Sequence, residues 1–181
     1  MNLMKFFAKR LEQTTERRVY ELIVAQARQP WFYADLEVPD SVEGRYDMIM
    51  LHCFMVFERL SGKGSAADAF SQLVFDELFK DMDRSLRELG VGDLAVGKKV
   101  RKMAEMFYGR SEAYRAALAK QADDHGAELK TVLERNVYDG AASAKGLDQL
   151  AHYVVRLRDC LADHEIGAIL AGELKFPEPG S

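Results

Sequence analysis

The chain reads as an all-α protein: a single-domain helical bundle with an apolar central helix at about residues 45–60. Three observations predict this. Apolar residues recur at i, i+3, i+4 and i+7 through nearly every segment between turn signals. No run alternates apolar and polar residues over the length of a strand. Glycine and proline gather at a few short breaks, which punctuate helices and leave their interiors intact. A chain of 181 residues suits one domain with a sizeable core. Its 48% hydrophobic and 30% charged residues are those of an ordinary globular protein.

The elements follow in order. Leu3, Phe6, Phe7 and Leu11 stand at helical spacing beside Lys5, Lys9 and Arg10, predicting a short cationic amphipathic helix over 2–12. Such a helix either folds back onto the bundle or lies in a membrane interface. Thr14 or Thr15 caps the next helix, marked by Val19, Leu22, Ile23 and Gln26. Pro30 and Pro39 bracket a stretch read as non-helical, whose aromatic knot Trp31–Phe32–Tyr33 either closes one end of the core, the favoured reading, or lines a groove for an apolar transmembrane segment. Asp40 is expected to cap the helix after it, with Glu43 three residues on as in a capping box. Tyr46–Leu60 is apolar nearly all round, so Ile49, Cys53, Phe54 and Phe57 should meet neighbours on several sides.

A glycine turn at Ser61–Ser65 leads into an amphipathic helix over Ala66–Leu89. Val74, Phe75, Leu78, Met82, Leu86 and Leu89 form its apolar arc, with Asp76–Lys80 and Asp83–Arg87 as i,i+4 ion pairs outside. Gly90–Val91–Gly92 break that helix and Asp93 is placed to cap the next. Gly97 then falls inside a helix, where it costs about 1 kcal/mol relative to alanine. Val96, Val100, Met103 and Phe107 make an apolar seam, with Lys98, Arg101 and Lys102 on the opposite side. Helices are predicted at Asp93–Tyr108, Ser111–Asp123, Ala127–Tyr138 and Ala144–Ala162, with a last short turn to Leu170 capped by Asp163. The domain is thus expected to span 1–172, and residues 173–181, ending PEPGS, to form a disordered tail.

Several function classes are disfavoured. A net charge of −4 argues against a general nucleic-acid binder, and no DNA partner is expected. The carboxylates of Ala66–Leu89 are interleaved with Lys80, Arg84 and Arg87, which makes an ion-paired face and not an acid/base or metal pair. There is no Glu-x-x-His, no Cys-x-x-Cys-His, no His-x-x-x-His, no Gly-x-Ser-x-Gly and no Walker A loop. His52 reads as a hydrogen-bonded core histidine, and His152 and His164 do not make a convincing haem edge. No metal, no cofactor and no catalysis are expected. Cys53 and Cys160 read as two buried thiols in a reducing compartment. The N-terminus lacks the apolar core and cleavage site of a secretory signal, and Glu12 and Glu16 disfavour a transit peptide. The expected location is cytoplasmic, with at most a peripheral hold on a membrane.

The basic group Lys98, Lys99, Arg101, Lys102 and Arg110 has two readings: a solvated face, or a contact for phosphate, RNA or headgroups that would weaken with salt. What tips the balance is the motif LRELGVGD (Leu86–Asp93), VGKK (Val96–Lys99) and FYGR (Phe107–Arg110), together with RYDMIMLHCFMVFERL (Arg45–Leu60). Across about residues 30–120 these resemble the ubiquinol–cytochrome c chaperone family. The resemblance implies assembly assistance without catalysis: holding nascent cytochrome b while ubiquinol–cytochrome c reductase is built. It also implies possible neighbours, namely the ribosome exit region, the inner-membrane surface and a small helical partner protein. Arg87, Glu88, Asp93, Lys98, Lys99, Arg101, Lys102, Tyr108 and Arg110 are the expected partner-binding surface. Asp40, Gly90, Gly92, Gly97 and Gly109 are the expected structural positions. A peripheral membrane- or ribosome-associated adaptor without a dedicated client is the alternative, and a haem-binding helical enzyme a distant third.

Overall fold

The computed structural model describes residues 14–120 and 126–180. The amphipathic helix expected over 2–12 lies outside the described residues. Eight helices are present among them: α1 (Thr15–Ala27), α2 (Pro30–Ala34), α3 (Val42–Leu60), α4 (Ser65–Glu88), α5 (Asp93–Lys120), α6 (Ala127–Val137), α7 (Ala144–Ala162) and α8 (Ile166–Leu170). No strand occurs among the described residues. None of these helices is long and apolar enough to cross a membrane.

α3 is the hub. Twelve of its 19 residues are buried, and it packs against α1, α4, α5, α6 and α7. A helix apolar on all sides can satisfy its surface only in that position. Each fully buried Met, Ile, Leu or Phe contributes about 1.5–3 kcal/mol, so α3 supplies a large part of the hydrophobic driving force. Two of its polar residues tie it to neighbouring elements. His52 is completely buried, its Nδ1–H donating to Met48 O at 2.8 Å and its Nε2 accepting from Tyr153 O–H at 2.8 Å. A carbonyl can only accept, which fixes this neutral tautomer. Gln26 Nε2 donates to Tyr153 Oη and to Pro177 O, both at 3.0 Å, tying α1, α3, α7 and the C-terminal segment together. Arg59 reaches from the last turn of α3 to the carbonyls of Leu161 (2.8 Å) and His164 (2.6 Å), satisfying the end of α7.

The structure departs from the sequence reading at several places. Pro30 begins a one-turn helix, α2, because proline suits the first helical position. Phe32 from it is fully buried, edge-on to Tyr153 at 4.9 Å and to His52 at 5.5 Å. Asp40 does not cap α3. Ser41 does, accepting from Gly44 N–H at 3.0 Å, while Asp40 pairs with Arg45 at 2.5 Å. Asp93 is the first residue of α5 and pairs with Arg87 instead of capping. α5 continues unbroken through Gly109, since Phe107, Ser111, Tyr114 and Ala117 all face the core only on one continuous helix. α8 is capped at Glu165, not Asp163. Lys80 pairs with Glu77 in place of Asp76. Cys53 is buried but Cys160 is partly exposed, and both are free thiols.

The carboxyl-terminal segment, read from its composition as a tail, folds back on the bundle. Leu174 is buried, Phe176 lies 6.0 Å from the His52 ring, and Pro177 O holds Gln26. Leu174 and Phe176 carry enough apolar surface to anchor a stretch that its prolines and glycines make irregular.

Candidate functional site

The motif Leu86–Arg110 forms the α4–α5 hairpin. Gly90, at φ +81°, closes α4 through two backbone bonds, Gly90 N–H to Arg87 O (2.9 Å) and Val91 N–H to Leu86 O (3.0 Å). That is the Schellman arrangement, in which a left-handed residue satisfies two orphan carbonyls. Ala95 and Val96 N–H groups then donate to Gly92 O and start α5. Arg87 spans the turn between Asp83, at 2.6 Å, and Asp93. All three are largely open to solvent, so the cluster orders the turn and contributes little to stability.

α5 presents three flanks. Val96, Phe107, Ser111, Tyr114 and Ala117 go into the core. Lys99, Lys102, Met103, Met106 and Arg110 follow i, i+3, i+4, i+7 and i+11 along one edge and line a hollow of about 430 Å³. Opposite them stand Val42, Tyr46 and Asp47 from α3, Leu86 from α4, and Arg135, Asn136 and Asp139 at the end of α6. A second hollow of about 320 Å³ shares Val42, Tyr46, Leu86 and Met103 and extends to Ile49, Met82, Leu89 and Glu88. The two form one groove with an apolar floor. Its lip is apolar too, with Val42 57% and Leu89 60% exposed.

At the α6 end the groove turns polar. Asp47 and Arg110 form a mostly buried ion pair. Burial pushes the Asp47 carboxyl up to about 6 even against the pull of Arg110. Tyr46 is only 7% exposed, and its Oη has no hydrogen-bond partner among the described residues.

The third flank of α5 bears Tyr108. It is 61% exposed and lies 5.7 Å from Phe75, at the edge of an aromatic cleft of about 400 Å³ between α3, α4 and α5. Phe57 and Phe107 complete the cleft wall, at 5.8 Å from each other.

The expected surface residues therefore divide. Lys99, Lys102 and Arg110 meet in one hollow and Glu88 lines the next. Arg87 and Asp93 close the turn, Lys98 and Arg101 point to solvent, and Tyr108 belongs to the opposite flank. Lys98, Lys99, Arg101 and Lys102 make no ion pair among the described residues. Leu94, at the start of α5, is 100% exposed. A Cβ at Gly92, Gly97 or Gly109 would meet nothing within 4 Å, so packing within the chain does not demand glycine there. Tyr46, Asp47, Met103, Met106, Arg135, Asn136 and Asp139 were not singled out from sequence as lining a site. Tyr46 and Asp47 carried a signal through their place in the Arg45–Leu60 motif, and Met103 and Met106 through theirs in Leu86–Arg110.

Nothing in the described residues gathers three or more His, Cys, Asp or Glu side chains into a metal-binding group. His152 and His164 each donate through Nδ1 to the carbonyl four residues back, and His164 Nε2 accepts from Lys175 N–H at 3.1 Å.

Comparison with known proteins places this geometry. The family model described as ubiquinol–cytochrome c chaperone matches residues 34–176. The ubiquinol–cytochrome-c reductase complex assembly factor 1 of Xenopus laevis is 22% identical over 161 residues, covering 87% of this chain and 78% of its own length. The mouse assembly factor 1 is also 22% identical, and the chain spans 53% of that longer protein. The crystal structure of the Cbp3 homologue from Brucella abortus superposes with a TM-score of 0.82 at 41% identity, covering 98% of this chain and 97% of the other.

Proposed function

The chain belongs to the ubiquinol–cytochrome c chaperone family, and on that premise we propose that it holds newly made cytochrome b during assembly of ubiquinol–cytochrome c reductase. Holding, not turnover, is the mode. The observation that carries this reading is the α4–α5 hairpin: the motif that carries the resemblance stands on the surface with Leu94 fully exposed and four cations unpaired among the described residues. Apolar side chains and unpaired charges left in water at one place make a surface suited to a partner. Leu89 and Leu94 would shield an apolar segment of the client, and Lys98, Lys99, Arg101 and Lys102 would anchor its polar ends. The same cations favour a second reading, an adaptor for the membrane surface or the ribosome exit region without a dedicated client. Salt-sensitive liposome flotation with no client preference would support that one.

Affinity purification of the tagged protein from gently solubilised cells separates them. Enrichment of cytochrome b over other polytopic membrane proteins is the expected result. Recovery of ribosomes alone, or of membrane proteins indiscriminately, would sink the dedicated role. A paired variant locates the contact: K98E with K102E should lower assembly of the reductase while the melting temperature moves by no more than about 2 °C, since both side chains are exposed. Equal loss of assembly and stability would remove these residues from the contact surface.

A further inference from the structure

From the groove between α3, α4 and α5 we infer the chemistry of what it receives: an amphipathic helix whose polar flank carries carboxylates. This rests on the reading that the α4–α5 surface is where a client or partner is held, and it names the kind of segment.

The floor of the groove is apolar and adaptable. Met82, Met103 and Met106 supply unbranched, flexible side chains beside Leu86, and methionine conforms to apolar partners of varied shape. Its walls are all helices and no strand edge is offered among the described residues, so an added β-strand has nothing to pair with. A helix laid between helices, with residues at i, i+3, i+4 and i+7 pressed onto the floor, is the mode that fits.

Both ends of the groove are charged. Arg135, Asp139 and Glu43 stand at one, and Arg28, Arg45 and Glu88 at the other. A fully apolar membrane span would take these groups out of water and offer them no polar partner, whereas a short amphipathic segment leaves them in water. The sign of the flank follows from the edge of α5. Lys99 and Lys102 line the hollow one turn apart, with Lys98 and Arg101 beside them, and none makes an ion pair among the described residues. The acids of that hollow are Asp47, already held by Arg110, and Glu43 and Asp139 at its end, against the four cations Lys99, Lys102, Arg110 and Arg135. Carboxylates at i and i+3 or i+4 on the guest helix would meet this edge.

Two synthetic helical peptides of equal length and equal apolar seam test this, one with glutamates and one with lysines on the flank, titrated by fluorescence anisotropy against the full-length protein. The glutamate peptide should bind at least about tenfold tighter and weaken with added salt. The doubly reversed variant K99E/K102E should invert the preference to the lysine peptide, and because both positions are exposed its fold is checked by an unchanged melting curve. Absence of binding by either peptide, equal binding of the two, or a preference that survives the reversal would each overturn the inference. Failure here with cytochrome b still captured in cells leaves the proposed function standing. Peptide discrimination without capture of cytochrome b removes that function and keeps the groove.

Discussion

Replacing Gly44 by alanine is expected to destabilise the protein by at least about 3 kcal/mol, and Gly146→Ala by a comparable amount. A Cβ at Gly44 would lie 2.0 Å from Pro39 O, and one at Gly146 would lie 2.4 Å from Leu36 O. Both obstacles are backbone carbonyls of one short loop, residues 36–39, so no side chain can swing aside. The loop has little room to retreat. Leu36 and Val38 are buried, Leu36 O accepts from Tyr138 O–H at 2.9 Å, and Glu37 already sits at φ +59°. Each glycine also donates its N–H to a serine cap three residues earlier, Ser41 at 3.0 Å and Ser143 at 3.1 Å. Two helices thus start with the same Ser-x-x-Gly step and press it onto the two sides of residues 36–39. Gly97→Ala is the internal control. It sits in open space on an exposed helix and should raise stability by about 1 kcal/mol. Urea unfolding of the three variants measures this, and a Gly44→Ala protein as stable as the parent would show that the loop yields where its packing says it cannot.

Those glycines mark the boundary of what the sequence discloses. Helical periodicity exposes α3 as the hub because a helix apolar on all sides has one place to go. It also locates α4, α6 and α7 to within a residue or two. Periodicity does not say which serine or aspartate caps a helix, since Asp40 and Ser41 are equally suited by type. The choice fell to Ser41 because Gly44 must present its N–H while its Cα meets the loop. Nor does a lone glycine announce a break: Gly109 could be carried through α5 once Phe107 and Tyr114 both found the core. The groove was half visible. Lys99, Lys102 and Arg110 belong to a motif within one helix, but Tyr46, Asp47 and Asn136 meet them from other helices, and local pattern holds no information about contacts across such separations.

The acid limb of the stability curve should reveal two buried groups that oppose each other. His52 is fully buried and hydrogen-bonded as the neutral ring, and burial lowers its pKa from 6.5 to about 4. Between those values the unfolded chain binds the extra proton, so stability rises with pH and up to about 3 kcal/mol is lost on acidification from 6.5 to 4. Asp47 is shifted the other way, from 3.8 to about 6, chiefly by burial. Between those values the folded protein binds the extra proton, so Asp47 contributes stability fully present below 3.8 and lost as pH rises through 6, again about 3 kcal/mol. The two slopes nearly cancel across the shared window. Asp40, Asp83 and Asp148, whose pKa values are lowered by Arg45, Arg87 and Lys130, act only below the ordinary carboxylate value and leave the window clear. The parent should therefore show little change in its urea midpoint between pH 6.5 and 4. Asp47→Asn uncovers the histidine and should lose about 3 kcal/mol over that range, while His52→Gln uncovers the aspartate and should gain about as much from pH 6 to 4. Parallel profiles for parent and both variants would mean that neither group is held in the protonation state its burial imposes. Opposite slopes would make the central helix a pair of matched proton sites whose balance keeps the bundle steady as the medium acidifies.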